Sequence, residues 1–387
     1  MEKIRQFMIE LIRFELCGGT LSSETETELA KADLRGLFFL SKKYDLTHII
    51  TDALDKKGLL PKSEEGREAF LRERQLAIFR HEQIRYEYQE LCDLLESKKI
   101  PHMPLKGAVM SELYPEAWLR TRCDIDILAH KKDVKEIVRI LCEEKGYTKP
   151  VEEVHDVSLY SENGVHLELH FFLMEEGGGT SAEKEVLSAV WENAFLAKDS
   201  AYRYCMTDEM FYFFHIAHMA KHFRSGGCGV RPFIDLWLLN HACAFDEEKR
   251  KKLLKKGGLL RFEEGIKRTT EVWFSGKEAD ELTKEIEKYI FHAGMYGEFE
   301  NRVLVQRKKK GGFKYIFFRI FMPYKQMKIQ YPVLKKHPWL YPFCQIGRWY
   351  RVIFHGKSAR RSRKELKSFS NSEKKAHIFA LVDELGL

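Results

Sequence analysis

Along the first hundred residues apolar side chains recur at helical spacing, as in Ile4, Met8, Leu11 and Ile12, and the stretch from about Glu68 to Lys98 is dense in Glu, Arg, Leu and Gln. A run of helices is predicted there. At KKIPHMPLKGA the period changes: a short apolar segment bounded by prolines ends at Gly107, which predicts a strand, a turn and a helix starting near Ala108. CDIDILAH follows as a second strand, and DVKEIVRILCEEKGY as an amphipathic helix from Val134 to about Lys145, closed by Gly146. VHDVSLYS and VHLELHFF are joined by Glu162, Asn163 and Gly164, and Asn-Gly between two such runs signals a hairpin. After EEGGGT, Thr180 and Glu183 stand at capping-box spacing and the pattern turns helical again, with TDEMFYFFHIAHMAKHF the clearest element.

These elements predict an α+β fold, a small mixed-sheet core flanked by N-terminal and C-terminal helical segments. The expected boundaries are a helical segment over 1–98, an α/β core over 99–175, a helical domain over 176–300 and a basic aromatic tail over 301–387. KKKGGFK near residue 308 reads as an exposed joint into that tail, whose aromatic and proline content argues for order. No internal repeat is seen.

With 387 residues, 44% hydrophobic content, 27 Phe and 16 Tyr, the chain has ample material for a sizeable core. No window approaches about eighteen consecutive apolar residues, since even YIFFRIFMPY carries Arg319 and Pro323. Arg5, Glu10, Arg13 and Glu15 interrupt the opening segment where a signal peptide needs an apolar run, so no transmembrane segment and a cytoplasmic location are expected. Eight cysteines without a CxxC pair read as reduced, mostly buried packing thiols. The net charge of +7 is unevenly spread: 19 Lys and Arg face the single acid Glu365 between Asn301 and Ser370. That tail could track nucleic-acid phosphates and stack bases on its aromatics, or equally form a solvated face or meet an acidic partner or membrane headgroups.

The chemistry concentrates in LKGAVMSELYPEAWLRTRCDIDILAH. Asp124 and Asp126 flank Ile125 in a strand, and strand alternation puts both carboxylates on one face. Two like charges that close repel unless a cation lies between them, and oxygen ligands on a rigid strand suit hard Mg²⁺. In VHLELHF, His166, Glu168 and His170 share one face, so Glu168 joins the aspartates if the strands are neighbours. Three carboxylates behind a glycine turn form an arrangement for phosphoryl or nucleotidyl transfer with two Mg²⁺ ions. Gly107 lets backbone approach the phosphates, Lys106 adds positive charge, and Arg120 or Arg122 neutralises a phosphate oxygen. The plainer alternative is a structural ion cluster of the aspartates with Arg120, Arg122 or the nearby histidines.

Here "LKGAVMSELYPEAWLRTRCDIDIL" followed by "HLELHF" resembles the uncharacterised bacterial nucleotidyltransferases of the DNA polymerase beta-like superfamily, over about residues 99 to 174. HMAKHF followed by GVRPFIDLWLL, and the tail ending near PFCQIGRWYR, look similar too. The resemblance implies metal binding by Asp124, Asp126 and Glu168, with the third acid also serving as general base. Where the superfamily's glycine turn usually carries Ser after Gly, this chain has Lys106, Gly107 and Ala108. The implied function is transfer of a nucleoside monophosphate from an NTP to an acceptor hydroxyl with release of pyrophosphate. The acceptor is left open among a small molecule, a sugar, a protein side chain and an RNA end. The rival is a non-catalytic RNA- or nucleotide-binding regulatory protein with a degenerate core and the basic tail.

His215, His218 and His222 fall on one helix face with Lys221 adjacent. Lys221 or His222 is a candidate to hold the triphosphate or base, against packed core histidines or a helical zinc pair that lacks the Glu of HExxH. Arg231 and Asp235, four apart, have the spacing of an ordinary helical ion pair.

Overall fold

The protein is described by a computed structural model that covers residues 2–148, 150–152, 155–175, 178–293, 317–318, 320–354 and 372–387. It divides into two units, Met1–Lys221 with Val230–Glu287, and His222–Gly229 with Lys288–Leu387. The helical prefix, the α/β segment and most of the later helices therefore share the first unit.

The prefix forms α1 (Glu2–Leu16), α2 (Ser23–Lys31), α3 (Arg35–Lys43), α4 (Thr47–Lys56) and the long α5 (Glu64–Ser97). Then come β1 (His102–Pro104), α6 (Lys106–Ser111), β2 (Asp124–Ala129), α7 (Val134–Glu144), β3 (Val151–Glu152), β4 (Asp156–Tyr160) and β5 (His166–His170). The strands form one mixed sheet in the order β1-β2-β5-β4-β3, parallel only between β2 and β5. The β4–β5 hairpin turns through Ser161–Val165 with Gly164 at φ +79°, a left-handed conformation that glycine adopts without a Cβ penalty. Gly146, at φ +65°, ends α7 in the same way.

One face of the sheet is apolar because every second side chain is: Ile125, Ile127 and Ala129, Leu167 and Leu169, Val157 and Leu159. Against it pack Ile84, Leu91 and Leu95 of α5 and Val134, Ile137, Ile140 and Leu141 of α7. Each fully buried aliphatic chain there contributes about 1.5–3 kcal/mol from the area it removes from water. This packing fixes the register, since a one-residue slip would turn the acids of β2 and β5 into the core.

Beyond the sheet lie α8 (Ser181–Ser188), β6 (Ala194–Leu196), β7 (Tyr204–Met206), α9 (Asp208–Arg224), α10 (Arg231–Ala242), α11 (Glu247–Gly257), α12 (Leu260–Ser275) and α13 (Glu281–Ala293). The Thr180 hydroxyl accepts from Glu183 N at 3.2 Å and the Glu183 carboxylate accepts from Thr180 N at 3.4 Å, a complete capping box. The antiparallel pair β6–β7 interrupts what the sequence pattern gave as a helical stretch. Its chain also covers the outer edge of β1, where His102 N–H donates to Tyr202 O at 2.9 Å.

In the second unit, α14 (Tyr324–Gln330), α15 (Tyr341–Phe354) and α16 (Ser372–Glu384) are described. Tyr341 and Gln345 of α15 both donate to Met322 O, at 2.6 and 2.7 Å. The expected joint near residue 308 and the basic run 355–371 lie outside the described residues. Among the described residues no helix is long and apolar enough to cross a membrane. All eight cysteines are free, but only Cys92 and Cys228 are buried and Cys123 is exposed, so the expectation of mostly buried thiols does not hold.

Candidate active site

The face of the sheet opposite the apolar core carries the acids. In the parallel pairing Asp124 stands opposite His166 and Asp126 opposite Glu168, while β4 sets Ser158 beside Glu168 and Asp156 beside His170. The ligand atoms of Asp124, His166 and Glu168 lie within 4.8 Å of one another, and so do those of Asp126, Glu168 and His170. Glu168 is thus common to two overlapping triads. Adjacency of β2 and β5, which the sequence required as a condition, is met.

His170 holds the centre of the cluster. Its Nε2–H donates to Asp126 Oδ1 at 2.8 Å and reaches Glu168 Oε2 at 3.4 Å. Burial alone would push the imidazole down, but those two carboxylates outweigh it and raise it to about 9. Burial would likewise raise Asp126, yet the His170 hydrogen bond and the Lys106 ammonium hold its carboxyl below the usual range. Glu168 is lowered first by its hydrogen bond with His170. Asp124 is pushed the other way, up to about 6, by burial and by the charges of Asp126 and Glu168. Negative charge therefore exceeds what the neighbouring cations compensate at the Asp124 end of the cluster. His170 is not among the catalytic or metal candidates of the sequence, but its pairing with Asp126 is the histidine contact that the ion-cluster alternative expects.

Lys106 opens α6 at φ +22°, an uncommon conformation for a residue with a Cβ, one residue before the glycine expected to let backbone approach the phosphates. The helix starts two residues earlier than expected and is only six residues long. At Gly107 a Cβ would lie 3.3 Å from Arg122 Cδ, a tight contact, and 3.5 Å from Arg120 Nη1, an ordinary one. The Lys106 ammonium sits 5.2 Å from the Phe214 ring centroid of α9. Burial and the nearby Lys221 charge lower it, and Asp126, Asp124 and Glu168 pull it back up. Lys221 also pairs with Glu175 at 2.8 Å.

The two arginines before β2 face different partners. Arg120 forks onto Asp235 of α10, Nε to Oδ1 and Nη2 to Oδ2 both at 2.9 Å, and Tyr114 OH donates to the same Oδ1 at 2.8 Å. Asp235 therefore is not the helical partner of Arg231. Arg231 instead reaches the Asp45 carboxylate, and its Nη2 donates to Asp45 O at 2.9 Å and to Thr121 Oγ1 at 2.8 Å. His48 Nε2–H of α4 donates to Leu119 O at 2.8 Å. The Leu119–Thr121 segment that delivers Asp124 is thus clamped from α4, α10 and Asp45. Arg122 is buried with its guanidinium 5.7 Å from the Tyr88 ring, and its Nε has no hydrogen-bond partner among the described residues.

His215 is a packed residue, buried and donating Nε2–H to Pro232 O at 2.9 Å. His222 opens the segment assigned to the second unit. Among the described residues the convergent sets of three metal-ligating side chains do not include His215, His218 or His222.

A carboxylate cluster on adjacent strands, approached by a lysine, is a set of groups that could hold a divalent cation. A family model described as an uncharacterised nucleotidyltransferase matches residues 31–275. The chain belongs to that family. No curated protein matches it. The matched span runs from α2 through the clamp residues His48, Arg120 and Asp235 to the end of α12, and it holds all three acids of this nucleotidyltransferase.

Proposed function

We propose that this nucleotidyltransferase moves a nucleoside monophosphate from an NTP to an acceptor hydroxyl at Asp124, Asp126 and Glu168. One observation carries it: the parallel pairing of β2 and β5 sets Asp126 against Glu168, so three carboxylates share one face with Lys106 near them. The donor set fits Mg²⁺, being oxygen-rich and short of positive charge at Asp124. Asp124, Asp126 and Glu168 would hold the two Mg²⁺ ions expected here, which when bound would supply compensation of triphosphate charge and acidification of the acceptor hydroxyl.

The chain's own groups do the rest. Lys106 and Lys221 neutralise phosphate oxygens, while Arg120 acts as a positioning residue because two of its nitrogens are engaged by Asp235. Arg122 and Gly107 line the approach to β2. His170 holds the Asp126 carboxylate in place. Glu168, whose side chain is 30% exposed against 12% for Asp126, accepts the acceptor's proton as its oxygen bonds to the α-phosphorus and the bond to pyrophosphate breaks. The enzyme works in the cytoplasm, and the basic tail is available to nucleic acid.

The test is pyrophosphate release from ATP, CTP, GTP and UTP with Mg²⁺, each offered with hydroxyl acceptors of the sugar, peptide and RNA classes. Release with one pairing, abolished in Asp126→Asn, supports the proposal. Release that survives Asp126→Asn contradicts it. RNA affinity that falls steeply with salt and ignores both Mg²⁺ and that substitution would favour the binding-protein alternative.

A further inference from the structure

At the β4 side of the acid cluster a second group of ligating atoms converges: His155, Asp156 and His170, all within 4.8 Å of one another. Asp156 is 5% exposed, and its Oδ1 is buried without a hydrogen-bond partner among the described residues. His155 Nδ1 beside it is buried without one as well. A buried polar atom left unsatisfied costs about 1–3 kcal/mol, so both side chains are incompletely satisfied by the protein alone. Two imidazoles face Asp156, with Oδ2 3.0 Å from His155 Nε2 and 3.9 Å from His170 Nδ1.

Those spacings bracket about 3.3 Å, the ligand-to-ligand edge of a tetrahedral site with bonds of about 2.0–2.1 Å. His170 is also oriented for it. Its Nε2–H is given to Asp126, so Nδ1 faces Asp156 at a distance too long for a hydrogen bond but short enough for one cation to join the two. A ligating histidine whose other nitrogen donates to a carboxylate is the usual support for a bound metal. Two imidazoles with one carboxylate select a borderline first-row cation over Mg²⁺, which prefers oxygen ligands.

We infer that His155, Asp156 and His170 form a separate site for a Zn²⁺-like divalent cation, joined to the acid cluster through the His170 ring. Three protein ligands leave at least one position open. A cation on Nδ1 takes the place of that nitrogen's proton and locks the tautomer that presents Nε2–H to Asp126. The site is independent of the proposed transfer reaction; only its influence on Asp126 rests on that proposal.

The test is Co²⁺ titration of EDTA-stripped protein, followed by ligand-field absorption, with Zn²⁺ as competitor, on wild type, His155→Gln, Asp156→Asn and Asp124→Asn. One equivalent of Co²⁺ displaced by Zn²⁺, with affinity at least tenfold weaker in His155→Gln and Asp156→Asn and retained in Asp124→Asn, supports the site. Far-UV circular dichroism checks folding, and either of the first two variants carries the test if the other unfolds. Unchanged Co²⁺ affinity in the folded variants overturns the inference, as does binding lost only in Asp124→Asn. Failure of the transfer proposal would show separately, as absent Mg²⁺-dependent nucleotide binding with Co²⁺ uptake intact.

Discussion

Arg120 and Asp235, 115 residues apart, meet as a two-pronged ion pair with side-chain exposures of 11% and 4%. Burial alone would raise Asp235, but the guanidinium outweighs it and keeps the carboxyl below its usual range. Removing one partner strands the other charge in the interior. Asp235→Ala is therefore expected to cost about 3–5 kcal/mol in urea unfolding, with loss of order in the segment that delivers Asp124. A cost under about 1 kcal/mol would mean that the pair does not hold the loop.

His48 gives the clamp a pH dependence. It is fully enclosed, and burial pushes its imidazole from 6.5 down to about 4, against the pull of Leu119 O and Asp45. The unfolded chain takes up this proton first as pH falls, so stability is lost between about pH 6.5 and 4, reaching on the order of 3 kcal/mol. His48→Gln keeps a donor for Leu119 O but has no proton to gain. Its stability should fall less steeply over that window than the wild type's in parallel denaturant titrations. Parallel curves would remove His48 as the cause.

Lys106 and Lys221 are the cations expected to meet the triphosphate. A hydrogen bond to a charged group is worth about 1.5–3 kcal/mol, so Lys106→Gln and Lys221→Gln should each weaken Mg²⁺-nucleotide affinity by about ten- to hundredfold in calorimetric titration. Wild-type affinity in both would assign the phosphates to other residues.

The placing of the acids on one face was largely legible because strand alternation writes a face into the sequence: DIDIL and HLELH each separate acids from aliphatics by parity. That β2 and β5 are neighbours is a matter of topology, which parity does not encode. Arg231 and Asp235 show the limit of local rules. Their spacing favours a surface pair worth a few tenths of a kcal/mol, and the buried fork between Asp235 and Arg120 overrides it. The sequence gives Lys106 its charge and Gly107 the close backbone approach, but the positive φ at Lys106 is not written in local residue types. The pair β6–β7 was missed because strands of three residues carry too little alternation to register against helical neighbours.

The most direct measurement is a thermal-shift titration with ATP, CTP, GTP and UTP, with Mg²⁺ or with EDTA, on the wild type and on Asp124→Asn/Asp126→Asn. Stabilisation by at least one NTP that requires Mg²⁺ and disappears in the double variant is the predicted result. Stabilisation that persists with EDTA or in the double variant would contradict the assignment of the NTP to these carboxylates.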